Sequence, residues 1–537
     1  MKFKSLYLSA ALALALVGCR ATKTITAEPL VITAPVTAKT ASLTELEEKR
    51  WSHLDILRDT IPGMSVDRAY EELLKDRKST KVLVAVVDSG IDIEHPDLAP
   101  VIWNNPKEIP GNGIDDDNNG YIDDVHGWNF LGDINHENME FVRILKKGDD
   151  GSATYKKAKA EYDEKYGEAM AGKQQMDFIL KADKAIRAEL KKDTYTAEDL
   201  QKLQTTDPTV SAIKPRLIGI LSQTSREELI QQIEGGKEYF QGQLDYHLNM
   251  NFDGRKILGD NPDDFNSKSY GNNNVVGPDK EGAKHGTHVA GIIAQVSGND
   301  IGGDGVIRDN VEIMAVRAVP DGDEYDKDVA LAIRYAVDNG AKVINGSFGK
   351  YYSTHSEWVY DAIKYAASKD VLIVCAAGNE GTDLNKDGGV ERYPNDNKVG
   401  GPEISDNFLS IGALTYNYGE NLVANFSNFG KSDVDIFSPG VRIYATTPDN
   451  NFEYLQGTSM ASPNAAGVAA LIRSYYPKLS AAEVKQIIMQ SGVTIDLDVI
   501  VGGDPSDVRP FSEISRTGKI VNAYNAIILA DKMSREK

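Results

Sequence analysis

The sequence predicts an α/β fold: a doubly wound, mostly parallel sheet that carries a helical insertion. Three observations lead there. Lys81 to Val87 and Val371 to Ala376 are near-continuous β-branched and apolar runs, as expected of strands buried on both faces of a parallel sheet. Each run ends in a Gly-containing turn that presents a polar side chain, Asp88 in one and Asn379 in the other. Open α/β sheets place their sites at the carboxyl ends of strands. Between residues 135 and 246 the pattern turns helical and interrupts the alternation of strand and helix.

The elements follow in order. Lys2 and Lys4 precede an apolar run, Leu6 to Val17, that is too short to span a bilayer comfortably. It ends Leu16-Val-Gly-Cys19 and resembles a bacterial lipobox, in which cleavage precedes a cysteine that is then lipidated. On that reading residues 1–18 are a lipoprotein signal peptide and Cys19 anchors the chain to the cell envelope, outside the cytoplasm. An ordinary cleavable signal with an incidental Cys is the other reading. Residues 19–44, rich in Thr, Ala, Pro and Val without a usable period, read as a tether. Residues 45–134 and 247–537 are assigned to one domain, with 135–246 as the insertion; 537 residues suffice for both.

Ile61 to Leu74 reads as a helix leading into the first strand. In the insertion, Tyr155, Ala158, Tyr162, Tyr166 and Ala169 recur at helical spacing, as do Phe178, Ala182, Ile186 and Leu190, and both stripes are expected to form its core. Thr196 with Asp199 and Ser225 with Glu228 are capping-box starts. Asn249 to Gly282 returns as a loop rich in Gly, Asn and Asp. His285 opens a small-residue helix that packs through Gly286, Ala290 and Gly291. Glu312 to Val319 and Lys342 to Asn345 read as parallel strands joined by a helix over residues 327–340. Ser410 to Leu414 and Val434 to Phe437 are later strands, and Met460 to Ile472 is a helix of small residues.

Three stretches carry chemistry. A serine hydroxyl needs an imidazole to take its proton and a buried carboxylate to orient that imidazole. Val84-Ala-Val-Val-Asp88-Ser-Gly-Ile-Asp92, His285-Gly-Thr-His288-Val-Ala-Gly291 and Gly457-Thr-Ser459-Met-Ala-Ser-Pro463 supply these groups. Each alone has a plain reading: Asp88 as a turn cap, the two histidines as a metal pair lacking a third ligand, the Gly-Thr-Ser triplet as an ordinary turn. In the order Asp, His, Ser, they resemble the subtilisin-like serine proteases (subtilases, peptidase family S8), over about residues 60–130 and 250–530. The closing segment Gly518 to Ala526 resembles the last helix of that family.

The resemblance implies a serine endopeptidase acting on proteins or peptides through an acyl-enzyme. It assigns Asp88, His285 and Ser459 as the catalytic triad, His288 as structural, and the Asn379 amide as donor to the oxyanion. Ser347, Phe348 and Gly349 would form the edge that pairs with an extended peptide. Ala376, Ala377 and Gly378 would line the first specificity pocket. Gly346 stands where the family usually has a larger residue, which implies a looser wall. Arg392 falls near the pocket floor, where a cation favours acidic side chains; a solvated Arg is the plainer expectation there. The 197 residues between Asp88 and His285 exceed what compact relatives need. The rival reading is a catalytically idle scaffold that binds peptides or envelope partners.

No cofactor is required for this chemistry, but Ca²⁺ is expected as a structural ion. Asp115, Asp117, Asn119 and Asp123 follow a rhythm that wraps oxygen ligands around Ca²⁺, with Gly120 at the turn and no Glu at the twelfth position. An acidic turn without an ion is the alternative. Asp383, Asn385 and Asp387 repeat the rhythm more weakly. By resemblance, Asp97 and Asn299 belong to the family's structural calcium site. Cys375 lies within a buried strand as a small core residue, and no disulfide is expected. A net charge of −21 argues against nucleic acid as a partner.

Overall fold

The computed structural model describes residues 24–34, 36–385, 391–397 and 401–537. Its centre is a nine-stranded sheet, and seven of those strands come early in the chain: β1 (Val82–Asp88), β2 (Gly127–Asn129), β3 (Val311–Arg317), β4 (Val343–Gly346), β5 (Leu372–Ala376), β6 (Phe408–Leu414) and β7 (Ile436–Pro439). After them come the hairpin β8 (Ile443–Thr447) and β9 (Asn451–Leu455), then β10 (Val493–Thr494), the pair β11 (Asp498–Ile500) and β12 (Val508–Pro510), and β13 (Lys519–Ile520). The order across the main sheet is β10-β13-β7-β6-β5-β4-β1-β3-β2. All pairings in it are parallel except β10 with β13.

Alternation along β1 shows why the sheet is doubly wound. Val84 and Val86 face a core shared with the helices Lys284–Ala294 and Thr458–Tyr475. Ala85 and Val87 face a second core built with Asp326–Asp338 and Ser356–Ser368. Both faces of the strand are buried, so its sequence is apolar throughout rather than alternating.

The helix expected over residues 61–74 is shorter, covering 66–74. The chain before it is held otherwise: the Met64 and Ser65 N–H groups donate to the Ser52 and Leu54 carbonyls at 2.8 and 2.9 Å, and Ser65 takes a left-handed φ of +55°. Residues 24–34 do not run free as a tether. Leu30 is buried, and its N–H and C=O pair with the Asn525 side chain at 2.6 and 2.9 Å, on the last helix Ala523–Arg535. Residues 1–18 and Cys19 lie outside the described residues, as does Asp387. Among the described residues no helix is long and apolar enough to cross a membrane.

The segment 135–246 is helical, with Glu140–Lys146, the 38-residue helix Ala153–Leu190, Ala197–Lys202, Pro208–Leu221 and Arg226–Gly242. Both capping boxes form. Ile179, Ala182, Ile186, Leu200, Val210 and Leu229 pack into a core of their own. A separate cluster of Phe141, Leu145, Ala158, Ala169 and Tyr352 joins the long helix to the main body. The two aromatic stripes divide. Their alanines and Ile186 point inward, whereas Tyr166 and Phe178 are exposed. Neighbouring helices cover only part of so long a helix, and small side chains allow the close approach where they do.

Candidate active site

β1 carries Asp88 at its carboxyl end, where the side chain is buried at 1% exposure. Its Oδ1 lies 2.6 Å from His285 Nδ1 and accepts the Ser89 N–H at 2.8 Å. His285 sits in the first turn of its helix. Gly286 allows that helix to reach the strand end, since a Cβ there would meet the Gly90 carbonyl oxygen at 2.1 Å. Burial disfavours the imidazolium, yet the Asp88 charge and hydrogen bond outweigh it, so the His285 pKa is raised above the ordinary imidazole value. His288, one turn on, is fully buried with Nε2 3.0 Å from the Glu453 carbonyl oxygen, and burial lowers its pKa to about 4. It braces β9 as a neutral group.

Ser459 lies in the first turn of the helix Thr458–Tyr475, where the dipole favours negative charge. The Met460 and Ala461 N–H groups donate to the Gly457 carbonyl at 3.0 and 3.3 Å, and the Ser459 N–H has no partner among the described residues. A buried polar network fixes this turn on β4. Ser347 Oγ donates to the Ser459 carbonyl at 2.7 Å, Asn345 Nδ2 donates to Ser347 Oγ at 2.9 Å, and Ser462 Oγ donates to Asn345 Oδ1 at 2.8 Å. The Ser459 hydroxyl itself donates to the Ser347 carbonyl at 3.1 Å.

Asn379 is oriented by Thr458. The Thr458 N–H and Oγ1–H both donate to Asn379 Oδ1, at 2.8 and 2.9 Å, and Thr458 Oγ1 accepts the Gly378 N–H at 3.1 Å. With its oxygen held, the Asn379 amide nitrogen faces the Ser459 backbone N–H across one point in space. The open side of Gly457 marks that point: a Cβ there would stand 3.5 Å from Ser459 N and 3.6 Å from Asn379 Nδ2. Gly457 has φ +151°, a conformation that itself favours glycine. Two nitrogens that border one position beside the serine are an arrangement able to receive a negative oxygen. Thr458, Asn345 and Ser462 were not singled out from the sequence, although Thr458 belongs to the Gly-Thr-Ser triplet.

The edge beside the serine differs from expectation in three respects. Ser347 is buried rather than open to a ligand, its hydroxyl committed to the Ser459 turn. The wall at Gly346 is closed, because a Cβ there would lie 3.0 Å from Cys375 Sγ and 3.1 Å from Phe348 Cε1, so the Phe348 ring fills the gap. Arg392 is buried rather than solvated, with Nη2 donating to the Phe348 carbonyl at 2.6 Å and Nη1 to the Pro394 carbonyl at 3.1 Å. Among the described residues no carboxylate pairs with it. Its guanidinium lies against the open face of Gly349, which is exposed and has no backbone hydrogen-bond partner among the described residues. Ala376 and Ala377 are buried, Gly378 is half-buried, and Cys375 is a buried free thiol whose pKa burial raises to about 12.

The acidic loop assembles a different set from the one its rhythm implied. Glu108, Asp115 and Asp117 bring carboxylate oxygens within 4.8 Å of one another. Glu108 Oε2 and Asp117 Oδ2 are buried without hydrogen-bond partners among the described residues, although Lys107 Nζ stands 3.5 Å from Asp117 Oδ2 as an ion pair. Asp123 is not among them; its oxygens accept the N–H groups of Gly111, Asn112 and Gly113 at 2.9, 3.2 and 2.7 Å. Asn119 turns away too, donating its amide to Asp124 Oδ2 at 3.0 Å. Asp97 and Asn299 do meet, but the Asn299 amide donates to Asp97 Oδ1 rather than presenting an oxygen beside it. Asp97 Oδ2 is left unpaired. Asp383 pairs with Arg509 at 2.7 Å.

Comparison with known proteins accords with this geometry. A family model described as the subtilase family, Peptidase_S8, matches residues 79–502. The chain belongs to the subtilase family. It is 38% identical over 244 residues to a thermophilic serine proteinase of Bacillus sp. (strain AK1), which covers 45% of this chain and 52% of that protein. Subtilisin DY of Bacillus licheniformis is 34% identical over 216 residues, or 40% of this chain and 72% of that one. The cell wall-associated protease of Bacillus subtilis (strain 168) is 38% identical over 234 residues, or 43% of this chain and 23% of that protein. The chain thus spans about half the length of the first of these relatives and less than a quarter of the third.

Proposed function

We propose that this subtilase is a serine endopeptidase that hydrolyses peptide bonds through an acyl-enzyme. His285 takes the proton of Ser459 as the hydroxyl attacks the scissile carbonyl, and Asp88 holds the imidazole by Nδ1 and stabilises the imidazolium. The carbonyl oxygen, as it becomes negative, moves between the Ser459 N–H and the Asn379 amide. His285 then returns the proton to the leaving amine, and water repeats the sequence to release the acid. The observation that carries this reading is the convergence of two donors beside a serine, across the site from an Asp–His pair bonded at 2.6 Å.

A fluorophosphonate probe tests it: the purified protein should be labelled at Ser459, and Ser459→Ala should lose both labelling and cleavage of an unfolded protein. Labelling that survives that substitution sinks the assignment, and a wild-type chain that is never labelled supports the idle scaffold.

Four finer readings complete the proposal. Residues 45–134 and 247–537 are the catalytic domain and 135–246 its helical insertion. Arg392 tunes the first specificity pocket toward acidic side chains, supported by a buried guanidinium without a carboxylate partner among the described residues, beside the exposed Gly349 backbone. Lipid on Cys19 anchors the enzyme to the cell envelope, at a periplasmic face or the cell surface, supported by the register of Lys2, Lys4, the apolar run and the cysteine. The oxygen-only cluster of Glu108, Asp115 and Asp117 fits a hard cation such as Ca²⁺, which would bind the unpaired Glu108 Oε2, supplement the Lys107–Asp117 ion pair at 3.5 Å and add stability rather than chemistry.

A further inference from the structure

We propose that His136, His247 and Asp321 bind a divalent transition-metal ion of the zinc type, and that this ion ties both ends of the insertion to the catalytic sheet. The three residues are far apart in sequence. His136 precedes the first insertion helix, Glu140–Lys146, and His247 closes the last helical segment, Gln243–His247. Asp321 lies in the loop that follows β3.

Their backbones are pinned together before any ion is considered. The Asp321 N–H donates to the Asn135 carbonyl at 2.8 Å, the Glu137 N–H to the Asp321 carbonyl at 2.9 Å, and the Met139 N–H to the His247 carbonyl at 3.1 Å. One ligand atom from each side chain falls within 4.8 Å of the other two. His136 Nδ1 lies 2.8 Å from Asp321 Oδ2, and its ring stacks on Tyr246 with centroids 3.9 Å apart, which fixes its plane.

His247 is the buried member of the cluster. It is 7% exposed, and Nε2 stands 3.1 Å from Asp321 Oδ1. Asp321 thus faces both imidazoles, and of the two His247 ring nitrogens Nδ1 alone is buried with neither a hydrogen bond nor an ion pair among the described residues. A metal ion seated between Nε2 and the Asp321 carboxylate would accept a lone pair from each.

The donor set selects the ion. Two imidazoles and one carboxylate suit zinc and its neighbours, whereas Ca²⁺ takes oxygen ligands. Ligand distances of roughly 2.0–2.1 Å place tetrahedral donors about 3.3 Å apart, within reach of side-chain adjustments on the order of 1 Å. The cluster opens onto a cleft of about 660 Å³ bordered by Lys237, Glu238 and Asp245, which leaves a fourth position for water.

The experiment uses the full chain as the Ser459→Ala variant, to prevent self-digestion, stripped with a chelator and titrated with CoCl₂ and then ZnCl₂. One Co²⁺ per chain should bind with the visible absorption of a low-symmetry site, be displaced by Zn²⁺ and resist a large excess of Ca²⁺. His247→Ala should weaken zinc binding on the order of a hundredfold or more. Because that variant empties a buried position, His136→Gln at the half-exposed edge is measured beside it and should show the same loss. Absence of the cobalt spectrum in the parent protein overturns the proposal. So does zinc affinity unchanged in His136→Gln, which would place the ion elsewhere. Neither readout depends on catalysis.

Discussion

Replacing Asn379 separates its contribution to turnover from its contribution to the fold. Oδ1 of its side chain receives the Thr458 N–H and hydroxyl at 2.8 and 2.9 Å, and on the proposed mechanism Nδ2 donates to the developing oxyanion. Asn379→Ala removes both. Loss of one such donor lowers kcat by about 10²–10³, or roughly 2.7–4 kcal/mol, a magnitude known from subtilisin and carried over to this relative. Loss of the Thr458 contacts costs about 1–2 kcal/mol of stability, limited because Asn379 is exposed and water can replace its oxygen. Asn379→Asp keeps the acceptor and replaces the donor by a charged oxygen. It should therefore unfold like the wild type yet lose at least as much kcat as the alanine variant. Steady-state kinetics on a peptide amide, with thermal unfolding of the same samples, reads both quantities, and KM should change little because the contact strengthens in the transition state. A kcat within threefold of wild type in Asn379→Asp would refute the role.

Four further outcomes are expected. His285 must be neutral to act as a base, and its pKa is raised by Asp88, so activity should fall on acidification from a pH above the ordinary imidazole value of about 6.5. Removing the charge with Asp88→Asn should move the acid limb of kcat/KM downward, along with a large loss of rate; an unmoved limb would assign it to another group. If the Glu108, Asp115 and Asp117 cluster holds Ca²⁺, free ion at about a hundred times its dissociation constant stabilises the fold by about 2.7 kcal/mol, and chelation should lower the Tm. Glu108→Gln with Asp117→Asn should abolish that sensitivity, whereas Asp123→Asn should destabilise the loop with or without calcium. Cys19→Ser should release the protein from the membrane fraction or leave it unprocessed, and unchanged membrane association would contradict lipidation. Arg392→Ala should reduce cleavage after acidic residues relative to neutral ones by tenfold or more at equal salt; an unchanged ratio would make Arg392 a strand brace only.

What could be read from the sequence was local. Asp88, His285, Ser459 and Asn379 each end a strand or open a helix, and the apolar run or small-residue pattern that marks the element also marks its end. What could not be read depended on distant backbone. The spacing of Asp115, Asp117, Asn119 and Asp123 is a local rhythm, but three N–H groups of the turn Gly111–Gly113 capture Asp123, and Glu108 takes its place. Helical periodicity places Tyr166 and Phe178 on a stripe with Ala169 and Ala182 without showing how little of the helix its neighbours cover. Arg392 looks solvated beside Tyr393-Pro394 until the Phe348–Gly349 segment folds against it. His136, His247 and Asp321 have no common sequence signal, because the insertion and a later strand must both be in place before they meet.

The resting hydroxyl of Ser459 bears on the mechanism as well. Its bond goes to the Ser347 carbonyl at 3.1 Å, longer than the 2.7–2.8 Å usual for O–H···O, and no bond to His285 is present. Attack therefore requires the hydroxyl to turn from Ser347 to the imidazole. A weak neutral hydrogen bond contributes about 1 kcal/mol net, so this turn slows reaction by no more than about fivefold, small beside the 10²–10³ assigned to the oxyanion donor. The Ser347 carbonyl lies on the edge where an extended peptide would pair through its main chain. A substrate N–H that took this acceptor would compete with the Ser459 hydroxyl and favour its turn to His285. A peptidyl fluorophosphonate should then inactivate faster at saturation than a small alkyl one, by up to about the same fivefold. Equal saturating rates would show that the hydroxyl reaches His285 freely without a peptide in place, and that the Ser347 contact holds nothing back.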